Sequence, residues 1–137
     1  MAFTLAAYVV IGALIAGRTG VADPVYVDYY RGNEAIGVYG KTYAELLETT
    51  HFHLFSYPLF LLLQGHIFLL TSWNARLKAA LVIAAFVGAA LYLAAPWLVL
   101  FAGPGFAWVK SAGRALLGIP LILFAVVPIY EMWFRRT

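Results

Sequence analysis

"ETTHFHLFSYPLFLLLQGHIFLL", residues 48–70, is a mostly apolar run that contains all three histidines of the chain. The hydrocarbon core of a bilayer is about 30 Å thick, and one helix needs about 20 apolar residues to cross it. Polar groups inside such a helix cost free energy unless a partner satisfies them. The stretch therefore predicts both a membrane-spanning helix and a candidate functional site.

The composition of the whole chain is that of an integral membrane protein. Of 137 residues, 64% are hydrophobic and 11% are charged, with a mean hydropathy of +0.88, whereas soluble domains carry about 25% charged residues. Cysteine is absent, which excludes disulfides, thiolate metal sites and covalent haem attachment. The net charge of +3 comes mostly from basic residues at the ends of apolar runs, so we expect no nucleic-acid partner.

We expect an all-α fold: an integral membrane four-helix up-and-down bundle with one long interfacial loop, formed by a single domain. Thr42 is a candidate N-cap for the last turns of that loop, which lead into the second span. The pairs Ala84/Gly88 and Ala85/Ala89 have the small-xxx-small spacing that lets helices approach closely, which favours a central position for the third helix. The domain covers residues 1–137, with spans at about 2–20, 51–70, 79–101 and 106–134 and the loop at 18–50.

The first apolar run is predicted to be retained as a helix, because no Lys or Arg precedes Arg18 as a signal peptide would require. Basic residues do not separate the two membrane faces cleanly. The denser cluster near the helix ends favours two cytoplasmic termini in a bacterial inner membrane, with His51 and His53 towards the outer face.

His51 and His66 are the first candidates for cofactor ligands. On a straight helix they lie about 22 Å apart, close to opposite boundaries of the hydrocarbon core. They are separated by about 60° around the helix axis, so we expect both to face the bundle interior. His53 lies about 200° from His51 and is the substitute for it if the helix begins late.

The spacing of histidines in "HFHLFSYPLFLLLQGH" resembles the ligand helix of di-haem b-type membrane cytochromes, in which one helix supplies an axial ligand to a haem near each face. This resemblance covers one helix and implies a non-covalent haem b at His51 and His66. The haem propionates would need cations, for which Lys110 and Arg114 lie on one side and Arg76 on the other.

All histidines lie in one span, so second axial ligands must come from a second copy of the chain or from another membrane subunit. The segments "YYRGNE", "THFHLFSYP", "GHIFLLT" and "YEMWF" make the wider chain similar to a set of small four-span bacterial membrane proteins. That similarity implies a topology and no activity.

Three other interpretations stay open. A quinone could accept hydrogen bonds from His66 or His51 together with Gln64, Tyr57 or Ser56 inside an aromatic pocket. Glu48 and His51 share a helix face and could, with His53, hold copper, zinc or iron. Alternatively the histidines only bond neighbouring groups, and the protein is a structural or assembly subunit of a larger complex.

We therefore expect a b-type haem-binding or quinone-linked electron-transfer subunit rather than a stand-alone enzyme, oligomeric or associated with other subunits in the lipid bilayer. The candidate metal ligands, including those for a haem iron, are His51, His53, His66 and Glu48.

Overall fold

The computed structural model describes residues 2–14, 16–17 and 23–134 of the chain, of which 2–5, 7 and 23 are described by their backbone alone. In chain order the regular elements are α1 (Ala2–Leu14), α2 (Asp23–Arg31), β1 (Gly32–Asn33), β2 (Val38–Tyr39), α3 (Tyr43–Leu69), α4 (Ala75–Trp97) and α5 (Trp108–Trp133). Short 3₁₀ turns cover Glu34–Ile36 and Pro104–Phe106, and a π-helical segment, Leu98–Ala102, extends α4.

Three helical segments of the described residues are long and apolar enough to cross a membrane: Tyr43–Leu69, Ala75–Ala102 and Pro104–Trp133. This confirms a multi-pass, mostly helical membrane protein. The 13-residue helix α1 is only about 20 Å long, shorter than the hydrocarbon core. The predicted first span includes residues 15 and 18–20, which lie outside the described residues, so a bundle of four spans stays a prediction.

Helix α3 begins at Tyr43, eight residues before the predicted start of the second span at residue 51. The Thr42 hydroxyl accepts a hydrogen bond from Glu45 N, and Thr42 N donates to the Glu45 carboxylate over 2.8 Å. This capping box confirms Thr42 as the N-cap. Residues 43–50 were predicted as the last turns of the loop, leading into the second span at residue 51, and the structure joins them to that segment in one continuous helix. The helix continues through Pro58.

The described part of the predicted 18–50 loop has regular structure. Helix α2 is followed by a two-stranded antiparallel ribbon, in which Gly32 pairs with Tyr39. Tyr26 of α2 is buried, and Arg31 Nη1 donates a hydrogen bond to the Val99 carbonyl over 3.1 Å. Val99 lies in the π-helical segment. We call residues 23–39 the cap, because α2 packs onto the end of the spanning helices through the cluster Tyr26, Ala95, Val99, Ala107 and Val109.

Helix α4 packs against both α3 and α5, as the small-residue spacing predicts. Ala85, Gly88 and Ala89 are buried. A Cβ atom placed on Gly88 would lie 2.7 Å from the Leu116 carbonyl carbon, and one on Gly113 would lie 2.6 Å from Tyr92 N. The two backbones therefore touch where these glycines lie, and α3 completes a core with Leu61, Phe68, Ala85, Ala89, Phe124 and Val127.

The turn between α3 and α4 is fixed at the face opposite the cap. Ser72 N and Ser72 Oγ both donate to the Glu131 carboxylate, over 2.9 and 2.6 Å. Lys78 Nζ donates to the Leu69 and Thr71 carbonyls, over 2.6 and 2.7 Å. The bond from Lys78 to Leu69 satisfies a carbonyl at the C-terminal end of α3 that has no partner within the helix.

Candidate functional site

The three histidines of α3 do not face the direction predicted for them. His51 and His66 are exposed, whereas His53 is half-buried. The inner face of α3 carries Leu61, Gln64 and Phe68 among its buried residues. In helical phase this face lies about 220° to 280° from His51, which places His53 near its edge and His51 and His66 outside it. The prediction that His51 and His66 both face the bundle interior does not agree with their exposure.

His53 is held by its own helix and by a neighbouring phenol ring. Its Nδ1 lies 2.7 Å from the Thr49 carbonyl oxygen. Its ring stands edge-on to Tyr57, with ring centres 4.9 Å apart. Since a carbonyl only accepts, Nδ1 carries the proton and donates it, which leaves Nε2 as the second polar atom of the ring.

Two adjoining cavities, each of about 310 Å³, lie between the helices. The first, which we call the apolar cavity, is lined by Tyr8, Ile11, Gly12, Tyr57, Phe60, Leu61, Tyr92, Arg114, Leu117, Gly118, Leu121 and Ile122. The second, the tyrosine cavity, is lined by Ile11, Leu14, Tyr29, Tyr30, Leu46, Thr49, Thr50, His53, Tyr57, Tyr92, Leu93 and Pro96. Tyr57 and Tyr92 line both, so the two phenol rings form a shared wall.

Tyr92 is at the centre of the polar groups around these cavities. It lies near Arg114 and near the phenols of Tyr26, Tyr30 and Tyr57. Burial raises the pKa of Tyr26 and Tyr30 in the cap well above the ordinary range of a phenol, so both stay neutral at physiological pH. Neutral phenols can donate and accept hydrogen bonds, and of these two residues Tyr30 lines the tyrosine cavity.

Helix α1 forms one side of the apolar cavity through Tyr8, Ile11 and Gly12. The Tyr8 hydroxyl donates to the Leu121 carbonyl over 3.2 Å, and its ring stands edge-on to Phe60. Because Tyr8 pairs with Phe60 while Leu14 reaches the same cavity as Leu46, α1 runs antiparallel to α3.

The family match covers residues 24–137, and the family, Aq_1264_TM, is described as a transmembrane helical domain. The chain belongs to this family. No curated protein and no solved structure matches it. The Aq_1264_TM match supports the resemblance to a family of small membrane proteins. It adds nothing to the cytochrome resemblance.

The basic residues predicted to hold a cofactor in this family member are not brought together. Lys110 is 1% exposed, and its ammonium lies 4.4 Å from the centre of the Tyr26 ring, beneath the cap. Arg76 is exposed at the start of α4, near the opposite face. Of the three, Arg114 alone lines either of the two cavities.

The predicted metal ligands are likewise separated. Glu48 and His51 are exposed, while His53 turns inward. Within residues 2–14, 16–17 and 23–134, no three or more His, Asp or Glu side chains form a group that could hold a metal ion. A metal site at Glu48, His51, His53 and His66 therefore has no geometric support from the described chain.

A haem between the helices of one Aq_1264_TM chain does not fit these residues. All histidines lie on α3, so no facing helix supplies a second one. The two candidate axial ligands, His51 and His66, point away from the interior of the bundle. A haem shared between two copies or with another subunit stays a prediction.

Tyr92 lines both cavities and Tyr29 and Tyr30 line the tyrosine cavity, and none of the three was among the predicted site residues. One signal for Tyr92 was present: it is a single phenol in the apolar part of α4 that follows Lys78, four residues after Gly88. Gly88 and Gly113 bring α5 close to α4, and Arg114 follows Gly113 directly, which places its charge near Tyr92.

Proposed function

We propose that this protein binds an isoprenoid quinone between its helices and serves as a quinone-linked subunit of an electron-transfer complex. The observation that carries the proposal is the pair of adjoining cavities with a shared wall of two phenols. Each cavity is at the lower end of the range of about 300 to 1,000 Å³ that small-molecule sites occupy. This division suits a ligand whose single-ring headgroup lies in one cavity and whose hydrocarbon tail lies in the other.

The two cavities differ in polarity in the way an amphipathic ligand needs. The tyrosine cavity lies beside the cap and is lined by polar groups such as His53, Tyr29 and Thr49. The apolar cavity extends towards the middle of the spanning helices, along Leu61, Leu117 and Leu121. The headgroup would therefore lie near the membrane boundary and the tail in the bundle interior, as the burial costs of polar groups require.

We further propose that α1 belongs to the same bundle as a fourth, antiparallel helix. The contacts of Tyr8 with Leu121 and Phe60 support this arrangement. In that position α1 shields one side of the apolar cavity from lipid, and a ligand tail enters between α1 and its neighbours.

The test is to fill the apolar cavity without disturbing the helices. Gly118 lines it, and a Cβ atom at Gly118 would meet no atom within 4 Å. Gly118→Phe is expected to weaken binding of decylubiquinone at least tenfold, because the new ring takes the volume of the tail. Ile119→Phe is the matched control, since Ile119 is the adjacent residue and is 60% exposed.

The measurement is a titration of the protein in nanodiscs with decylubiquinone, followed by tryptophan fluorescence. Lipids that co-purify with the protein are extracted beforehand and analysed for quinone. Equal affinities of Gly118→Phe and wild type would contradict the proposed site.

Absorption spectra of the same sample report on haem, because a reduced b-type α band that disappears on His66→Ala would favour the cytochrome interpretation. A colourless, quinone-free protein that purifies with other subunits would favour a structural role.

A further inference from the structure

We infer that His53 makes the site selective for the reduced form of its ligand, a hydroquinone, over the oxidised quinone. This inference rests on the proposed function and concerns the tyrosine cavity. It depends on which ring nitrogen of His53 can bond a ligand. The carbonyl of Thr49, one turn earlier in α3, determines this.

The hydrogen bond from Nδ1 to the Thr49 carbonyl, 2.7 Å long, sets the tautomer. A neutral imidazole has one N–H and one lone pair, so a proton on Nδ1 places the lone pair on Nε2. Nδ1 turns back along α3 towards Thr49, and His53 lines the tyrosine cavity. His53 therefore presents an acceptor to a bound headgroup.

The neighbouring hydroxyls at this end of the cavity are already engaged. Thr49 Oγ1 donates to the Glu45 carbonyl over 2.9 Å. Thr50 Oγ1 donates to the Leu46 carbonyl over 2.8 Å and accepts from Trp97 Nε1 over 2.9 Å. The phenols of Tyr29 and Tyr30 can donate or accept, so they bind either redox form. Among these side chains, His53 presents a lone pair at Nε2, and Thr49 Oγ1, whose proton is committed to the Glu45 carbonyl, likewise can only accept from a ligand.

The two redox forms of the ligand differ at the atoms that meet this nitrogen. Quinone oxygens only accept hydrogen bonds, whereas the hydroxyls of a hydroquinone also donate. A hydroquinone O–H can donate to Nε2. A quinone carbonyl there would place two acceptors together with no proton between them, which forfeits this hydrogen bond and costs free energy.

The experiment compares the dissociation constants of decylubiquinol and decylubiquinone, measured anaerobically in nanodiscs at neutral pH. Wild type is expected to bind the hydroquinone about fivefold more tightly, the ratio that one net hydrogen bond gives. His53→Phe keeps a ring of similar size and removes the acceptor, so the two constants become equal, chiefly through weaker hydroquinone binding. His51→Phe, on the exposed side of the same helix, is expected to keep the wild-type ratio.

Equal constants in wild type would overturn the inference and leave the proposed function intact, whereas no binding of either form would overturn the proposed function itself. If His53→Phe does not fold, ¹⁵N spectra of histidine-labelled wild type give the second measurement. We expect the Nδ1-protonated tautomer for His53 and a shift of its Nε2 signal with the hydroquinone alone. An Nε2-protonated ring, or the same shift with both forms, would overturn the inference.

Discussion

Gly88 and Gly113 set the distance between α4 and α5. Each lies where a side chain would run into the backbone of the other helix. The close approach brings Tyr92 of α4, which lines both cavities, beside Arg114 of α5, which lines the apolar cavity. Without a hydrophobic driving force between helices in lipid, such close packing is a main source of helix association.

Gly113→Ala is expected to lower the free energy of unfolding by about 1 to 3 kcal/mol, because its Cβ would lie 2.6 Å from Tyr92 N and overpacking costs that amount. The gain in helix propensity from alanine is about 1 kcal/mol and does not offset the clash. Gly118→Ala in the same helix is the control, since its Cβ meets nothing within 4 Å. Thermal unfolding in detergent measures both; equal stability of the two variants would contradict the close contact.

The histidines show what one helix pattern can and cannot predict. Their relative angles follow from 100° per residue, a value that every regular helix shares. The absolute rotation of α3 was not predictable, because apolar side chains surround the helix: Phe52, Phe55 and Leu59 are exposed while Leu61 and Phe68 are buried. In lipid both environments are apolar, so the hydropathy pattern does not distinguish the inner face from the outer one.

At the scale of elements, the docking of the cap depends on the π-helical segment that extends α4. After Pro96 the chain continues as a π-helical segment, and Gly103 N closes it on the Leu98 carbonyl over 2.9 Å. Arg31 of α2 donates to the Val99 carbonyl in this segment.

The small-residue pairs and the N-cap of α3 were predictable because their signals are local. The docking of α2 was not, because it joins residues 31 and 99 through a backbone carbonyl that carries no sequence signal.

Arg31→Gln is expected to loosen the cap, with amide exchange in residues 24–31 about fivefold faster. Loss of one hydrogen bond from a partly exposed cation corresponds to about 1 kcal/mol, which gives that factor. Hydrogen–deuterium exchange mass spectrometry measures it. Arg76→Gln, which changes an exposed arginine on the opposite face, is expected to leave these amides unchanged. Unchanged protection in Arg31→Gln would mean that the bond to Val99 does not hold the cap.

At the scale of the whole molecule, the three spanning segments place the cap and the Gly103–Phe106 turn on one face and the Leu70–Asn74 turn on the other. The chain has no cysteine, so single introduced cysteines report the topology directly. Tyr39 and Leu70 are 93% and 86% exposed and are suitable positions on opposite faces.

In intact cells, an impermeant maleimide is expected to label Tyr39→Cys and Gly105→Cys but not Leu70→Cys, because both termini are predicted to be cytoplasmic. Ala2→Cys is expected to behave like Leu70→Cys if α1 is a fourth span. Labelling of Leu70→Cys alone would reverse the orientation and keep the three crossings. Equal labelling of Tyr39→Cys and Leu70→Cys would contradict the crossing by α3.

The wall formed by Tyr57 and Tyr92 has a consequence for how this family can diversify. Two rings from two helices are all that both cavities share apart from Ile11. Exchanging either ring for a small residue would widen the space where the two compartments meet without altering any helix. Relatives with alanine or serine at these two positions would therefore accommodate longer or bulkier molecules. The residues at positions 57 and 92 then indicate the size of the ligand that each family member accepts.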